Sequence, residues 1–207
     1  NIATDALALV SRLGRQSVAA VVGHDFGSPV AARCALARPD VFPAAVMMSA
    51  PFAGFPPLPN EADESSRHGA ANIHRDLAKL APPRKHYALY YSTREANADM
   101  LKCPQGVRAF LRAYYHVKSA DWAGNRPHRL QGWTAAELAK LPTYYIMNQS
   151  EDMAATVAPE MPSADQIARC DWLTDAELGV YAEEFGRTGF QGGLQWYRGQ
   201  VDGNNHC

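Results

Sequence analysis

The sequence predicts an α/β protein: a partial parallel-sheet core in the first 52 residues, followed by a mainly helical second domain. Three observations carry that expectation. A valine-rich run, a sharp glycine-flanked turn, an alanine-rich helix and a second apolar run follow one another within about 33 residues, the size of one βαβ unit. Strand–helix–strand order argues for a parallel sheet. Beyond Pro51 the pattern changes to helical periodicity interrupted by polar loops.

Taken in order, residues 1–14 (NIATDALALVSRLG) set Ile2, Ala6, Leu9, Val10 and Leu13 at near-helical spacing, with Gly14 as a stop. Residues 17–22 (SVAAVV) read as a buried strand. The turn Gly23-His24-Asp25-Phe26-Gly27-Ser28 comes next, then a helix with Pro29 in its first turn and Pro39 at its end. Residues 44–49 (AAVMMS) read as a second buried strand. The proline-rich stretch 51–59 (PFAGFPPLP) can continue neither sheet nor helix. From there to about residue 200 the pattern is helical and rich in aromatics. Residues 172–186 form its clearest helix: Thr174 and Glu177 have capping-box spacing, and Leu178, Tyr181 and Phe185 recur on one face. The expected division is 1–52 as sheet core, 53–200 as a helical cap and 201–207 as a tail.

Composition excludes several classes. Of 207 residues, 47% are hydrophobic and 20% charged, which suits a packed core rather than a disordered chain. Twenty Lys and Arg against 21 Asp and Glu leave a net charge of −1, without the basic footprint of a nucleic-acid binder. No apolar run reaches the ~20 residues of a membrane span. Cys34, Cys103, Cys170 and Cys207 are scattered, with no C-x-x-C pair, so neither a metal site nor a disulfide framework is expected. Reduced thiols and the lack of a signal-peptide pattern point to a cytoplasmic setting.

The chemistry sits in the turn. Gly23-His24-Asp25-Phe26-Gly27 has the small-x-nucleophile-x-small form of a nucleophile elbow, in which a strained strand-to-helix turn presents its central side chain above the sheet. Here that residue is Asp25. A carboxylate is already ionised at neutral pH and can attack an electrophilic alkyl carbon to form an ester. Such chemistry suits an epoxide or a carbon–halogen bond rather than an amide or an ester.

On these residues the chain resembles the α/β-hydrolase family, and within it the soluble epoxide hydrolases. GHDFG is similar to that group's G-H-D-W-G, with Phe26 in place of Trp. Residues 86–91 (HYALYY) resemble the cap segment that carries one epoxide-binding tyrosine, at Tyr87. Residues 172–186 are similar to a cap helix of that group. Residues 189–198 (GFQGGLQWYR) resemble its G-F-x-G-x-L-x-W-Y-R stretch, whose tyrosine falls at Tyr197; Gly199 stands where an Asn usually follows. The resemblance implies that Asp25 attacks a ring carbon while Tyr87 and Tyr197 donate to the epoxide oxygen. It places His24, Phe26 and Trp196 on the oxyanion or substrate side. Tyr90 and Tyr91 are expected to serve packing only.

The implied reaction, epoxide plus water to a vicinal diol, needs no cofactor. The implied partner is a small apolar epoxide, and a homodimer is left open. The group's general base and its orienting acid have no match: His206 and Asp202 follow no strand pattern, and the H-G-x-P stretch that precedes the elbow is missing. The length therefore reads as the middle of a longer hydrolase, expected to fold poorly or to be inactive alone. Two rivals remain. A dehalogenase would use the same carboxylate, but Phe26 lacks the indole N–H that stabilises halide. A binding-only or inactive chain would keep the cap cavity alone.

Overall fold

The computed structural model describes residues 2–54 and 73–201. Most of the proline-rich stretch 51–59 and the tail with Asp202, His206 and Cys207 lie outside the described residues. The chain divides into two compact units, 1–62 and 63–206 in its main spans.

In the first unit, helix α1 (Ile2–Arg12) leads through Gly14, at φ +66°, to strand β1 (Val21–His24). Helix α2 (Gly27–Ala37) and strand β2 (Ala45–Met48) follow. The strands pair in parallel, Val21 opposite Ala45 through His24 opposite Met48, as a βαβ crossover requires. The core is Val10, Cys34, Val41 and Phe42, with Ala3, Ala6, Leu7, Val18, Val21 and Val30 packed around it.

Three expectations need correction here. The first strand is not 17–22 but Val21–His24, because the ladder begins where Val21 N–H reaches Ala44 O and runs on into the turn, where Asp25 N–H reaches Met48 O. The strands are not buried: every residue of β2 is exposed, and Gly23 alone is buried in β1. Among the described residues this sheet has two strands; α2 packs against both, and α1 packs against α2. Leu9 on α1 and Leu13 just past its end are exposed, and the inward stripe is Ala3, Ala6, Leu7 and Val10.

The second unit is mainly helical: α3 (73–78), α4 (Tyr87–Ser92), α5 (Ala96–Leu101), α6 (Gly106–Val117), α7 (Ala135–Leu138), α8 (Met153–Val157), α9 (Ala164–Arg169), α10 (Asp175–Thr188) and α11 (Gln191–Val201). It also holds an antiparallel pair that periodicity does not reveal, β3 (Arg84–His86) with β4 (Ile146–Asn148). Three-residue strands are too short to establish an alternating pattern.

Its core forms around α6, where Phe110, Leu111, Ala113 and Val117 meet Met147, Met153, Val157, Leu173, Leu178 and Leu194. A second cluster joins Ile73, Leu77, Leu138 and Ile146. The predicted capping box closes α10: Thr174 Oγ1 accepts from Glu177 N–H, and Glu177 Oε2 accepts from Thr174 N–H at 2.8 Å. Of its apolar face, Leu178 is buried while Tyr181 lies exposed. A second capping box, Ser163 with Gln166, starts α9.

Candidate active site

The turn between β1 and α2 is built by a close approach between two backbone segments. A Cβ on Gly23 would lie 2.0 Å from Gly27 O, so only glycine lets the strand end and the helix start meet. The turn then drives Asp25 to φ +52°, a left-handed conformation that costs a non-glycine residue roughly 1–3 kcal/mol. Asp25 is exposed and sits just before the N-terminus of α2, where the helix dipole favours a carboxylate. Its Oδ1 accepts from Phe26 N–H at 2.6 Å.

A residue that the motif does not mark secures this strain. Ser28 is completely buried on α2, and its hydroxyl lies 3.0 Å from Gly23 O and 2.8 Å from Met48 O, with Met48 N–H donating back at 3.1 Å. One side chain thus ties the helix start to the ends of both strands. The signal available in the sequence was a small hydroxyl residue directly after the second glycine. His24 is exposed, with Nε2 2.9 Å from Ser49 Oγ, and Ser49 is itself at φ +69°. Phe26 is half-buried where α2 begins.

In the second unit the structure brings Tyr87 and Tyr197 together. Tyr87 opens α4, and Tyr197 lies on α11 beside partly buried Trp196. The Tyr87 and Tyr197 rings are 5.7 Å apart and nearly perpendicular. Tyr91, one turn along α4, contacts both, 5.7 Å from Tyr87 and 5.0 Å from Tyr197. Its hydroxyl donates to Tyr114 on α6 at 3.0 Å. Tyr91 therefore does more than pack: it joins the phenol pair to a second layer. Burial holds the Tyr91 hydroxyl well above its usual pKa and pushes Tyr114 up to about 12, so both stay protonated. Below them Lys118 Nζ lies over three rings, at 5.0 Å from Tyr114, 4.4 Å from Tyr144 and 4.9 Å from Tyr145. Neither Tyr114 nor Lys118 stands out in the sequence, because a chain this rich in tyrosine hides which of them converge.

The two tyrosine-bearing helices are fastened to one another. His86 caps α4, its Nδ1 accepting from Ala88 N–H at 3.2 Å. Asn97 Oδ1 accepts from Phe190 N–H at 2.8 Å where α11 begins, and Gly189, at φ +67°, leaves room for that amide. Further along α11, Arg198 donates to Thr93 O at 3.0 Å, just past the end of α4.

Among the described residues, no group of three or more His, Cys, Asp or Glu side chains could hold a metal ion. Nor is any helix among them long and apolar enough to cross a membrane.

Comparison with known proteins agrees with this architecture. The profile described as "Alpha/beta hydrolase family" matches residues 1–183. Epoxide hydrolase B of Mycobacterium tuberculosis is 26% identical over 193 residues, covering 90% of this chain and 51% of that protein. An epoxide hydrolase from an endophytic Streptomyces superposes with a TM-score of 0.63 at 30% identity, over 95% of this chain and 49% of that one. Epoxide hydrolase A from Mycobacterium thermoresistibile gives a TM-score of 0.60 at 26% identity, over 95% and 50%. The chain thus spans about half the length of the relatives it matches. With a profile match over most of its length, a parallel strand–turn–helix–strand unit and a mainly helical second unit, the chain belongs to the α/β-hydrolase family.

Proposed function

We propose that this chain carries the nucleophile and the oxygen-binding phenols of an epoxide hydrolase, which opens a small apolar epoxide to a vicinal diol. The observation that carries the reading is an aspartate at the strained centre of the elbow, in a protein whose second unit pairs two tyrosines. With Oδ1 engaged by Phe26 N–H, Oδ2 is the attacking oxygen. It forms a C–O bond to one epoxide carbon as the ring C–O bond breaks, and the alkoxide takes a proton from Tyr87 or Tyr197. Phenols suit this role because they are protonated at neutral pH and donate more strongly as charge develops on oxygen. Phe26 N–H then lies on the carbonyl oxygen of the ester. Trp196 and His24 are assigned to substrate binding. Hydrolysis of the ester requires a general base for water, and no histidine of this sequence is assigned to that step.

Intact-mass spectrometry after incubation with styrene oxide tests the reading. Added mass on Asp25, or diol in solution, is expected. Both should vanish in Asp25→Ala and fall at least tenfold in Tyr87→Phe and Tyr197→Phe. Halide release from a bromoalkane with styrene oxide left intact would instead make the chain a dehalogenase. Neither adduct nor turnover would leave a binding-only protein.

A further inference from the structure

The second unit contains a cavity of about 240 Å³ that the proposed reaction does not use, lined on one side by Arg112 and His116 and on another by Gln166, Ile167 and Leu173. Arg112 and His116 are one helical turn apart, so they share a face of α6. Tyr114 lies between them in sequence and points elsewhere, into its hydrogen bond with Tyr91. The cavity is therefore on the far side of α6 from the phenol cluster.

Its polar lining consists of donors in excess. His116 is 8% exposed; among the described residues neither of its ring nitrogens makes a hydrogen bond, and the carboxylates of Asp121 and Glu160 lie within electrostatic reach of it. Arg112 is 6% exposed and rigidly held: Nη1 donates to Leu173 O at 2.8 Å and contacts Cys170 Sγ, while Nη2 donates to Asp175 Oδ1 at 2.7 Å. Of five guanidinium N–H groups, two remain for another acceptor. Gln166 spends its carbonyl oxygen on the α9 capping box, which leaves its amide N–H groups. Arg169 adds a second cation. The acceptor on this lining, Asp121, already receives Trp172 Nε1–H at 2.8 Å. Ile167, Leu173 and Pro162 supply the apolar wall.

An imidazole whose ring makes no hydrogen bond among the described residues, beside a pre-oriented guanidinium with N–H groups to spare, can take a ligand that brings acceptors. At about 240 Å³ the cavity falls below the roughly 300–1,000 Å³ of drug-sized pockets, which suits a smaller ligand. We propose that this cavity is a second binding site, for a small organic carboxylate: the carboxylate accepts from His116 and Arg112, and the apolar body lies along Ile167 and Leu173. This site is independent of the epoxide chemistry and stands even if that reading fails.

The probe is phenylacetate, titrated calorimetrically into the chain, with benzyl alcohol and benzylammonium as shape-matched controls. Phenylacetate should bind at least tenfold more tightly than either control. Ile167→Trp, which fills the cavity, should abolish binding. Arg169→Gln, an exposed change that spares the fold, should weaken it severalfold. Tyr197→Phe should leave it unchanged. Equal affinity for the three probes overturns the proposal, as does binding that survives Ile167→Trp or is lost in Tyr197→Phe. If Ile167→Trp fails to fold, affinity unaltered in Arg169→Gln overturns it equally.

Discussion

Mild acid should loosen the start of α4, and with it Tyr87, through His86. The neutral ring accepts from Ala88 N–H at Nδ1, so its proton sits on Nε2. Protonation turns that acceptor into a donor aimed at another N–H and at the positive end of a helix. Burial, with help from neighbouring His74, accordingly pushes the His86 pKa from 6.5 down to about 4. The folded state therefore binds fewer protons than the unfolded chain. The stabilisation is complete above pH 6.5 and is lost as pH falls toward 4. Integrating between those values gives about 2 kcal/mol lost at pH 5. The ring is only half-buried, and screening by solvent reduces that to about 1–1.5 kcal/mol. His86→Asn keeps a capping oxygen but cannot titrate. Urea denaturation at pH 7.5 and pH 5 is the assay. With a slope of about 2 kcal/mol/M, the wild-type midpoint should drop by about 0.6 M more than that of the variant. His116, whose pKa burial also lowers, is present in both proteins and cancels. The carboxylates held low by their partners, such as Asp175 and Glu177, titrate below this window. An identical pH dependence in the two proteins would refute the reasoning.

Other substitutions test the two units separately. Ser28→Ala orphans the buried groups its hydroxyl serves and should cost about 2 kcal/mol in chemical denaturation. Gly23→Ala cannot keep the elbow closed with a Cβ 2.0 Å from Gly27 O; a loss of about 3 kcal/mol or more is expected, read as depressed yield of folded protein and altered near-ultraviolet dichroism. Tyr114→Phe removes the acceptor of the Tyr91 hydroxyl inside the core, and a thermal melt should report about 1–2 kcal/mol. Phe110→Ala, at a side chain 1% exposed, should cost about 3–5 kcal/mol on the same measurement.

The sequence exposed what depends on local rules. The tight turn after β1 was legible because its sterics demand particular small residues at fixed spacing, and the α10 capping box because Thr174 and Glu177 satisfy one another across a single turn. Gly14 was legible as a stop for the same reason. What stayed hidden depends on partners far along the chain. The bond from Ser28 to Met48 spans 20 residues, and that from Tyr91 to Tyr114 spans 23. β3 and β4 find each other across some sixty residues. Apolar content alone also misjudged β2: Val46, Met47 and Met48 look like interior residues but lie 44–47% exposed. The resemblance drew attention to Tyr87 and Tyr197, whereas Tyr91, Tyr114 and Lys118 became evident only once three helices were packed together.

The fastening of α11 has a mechanical meaning. Phe190, pinned by Asn97, is seven residues before Tyr197, about 10 Å along a helix axis. A tilt of about 10° at that pivot would carry the phenol nearly 2 Å, more than a hydrogen bond tolerates. Arg198, immediately beyond the tyrosine, is the second bearing of this lever, and it rests on the chain just after α4. Two points of support set across the phenol turn an error in angle into a much smaller error in position. Tyr197 is thereby held in the reference frame of Tyr87, and the spacing of the two rings is set by these contacts rather than by the length of chain between them.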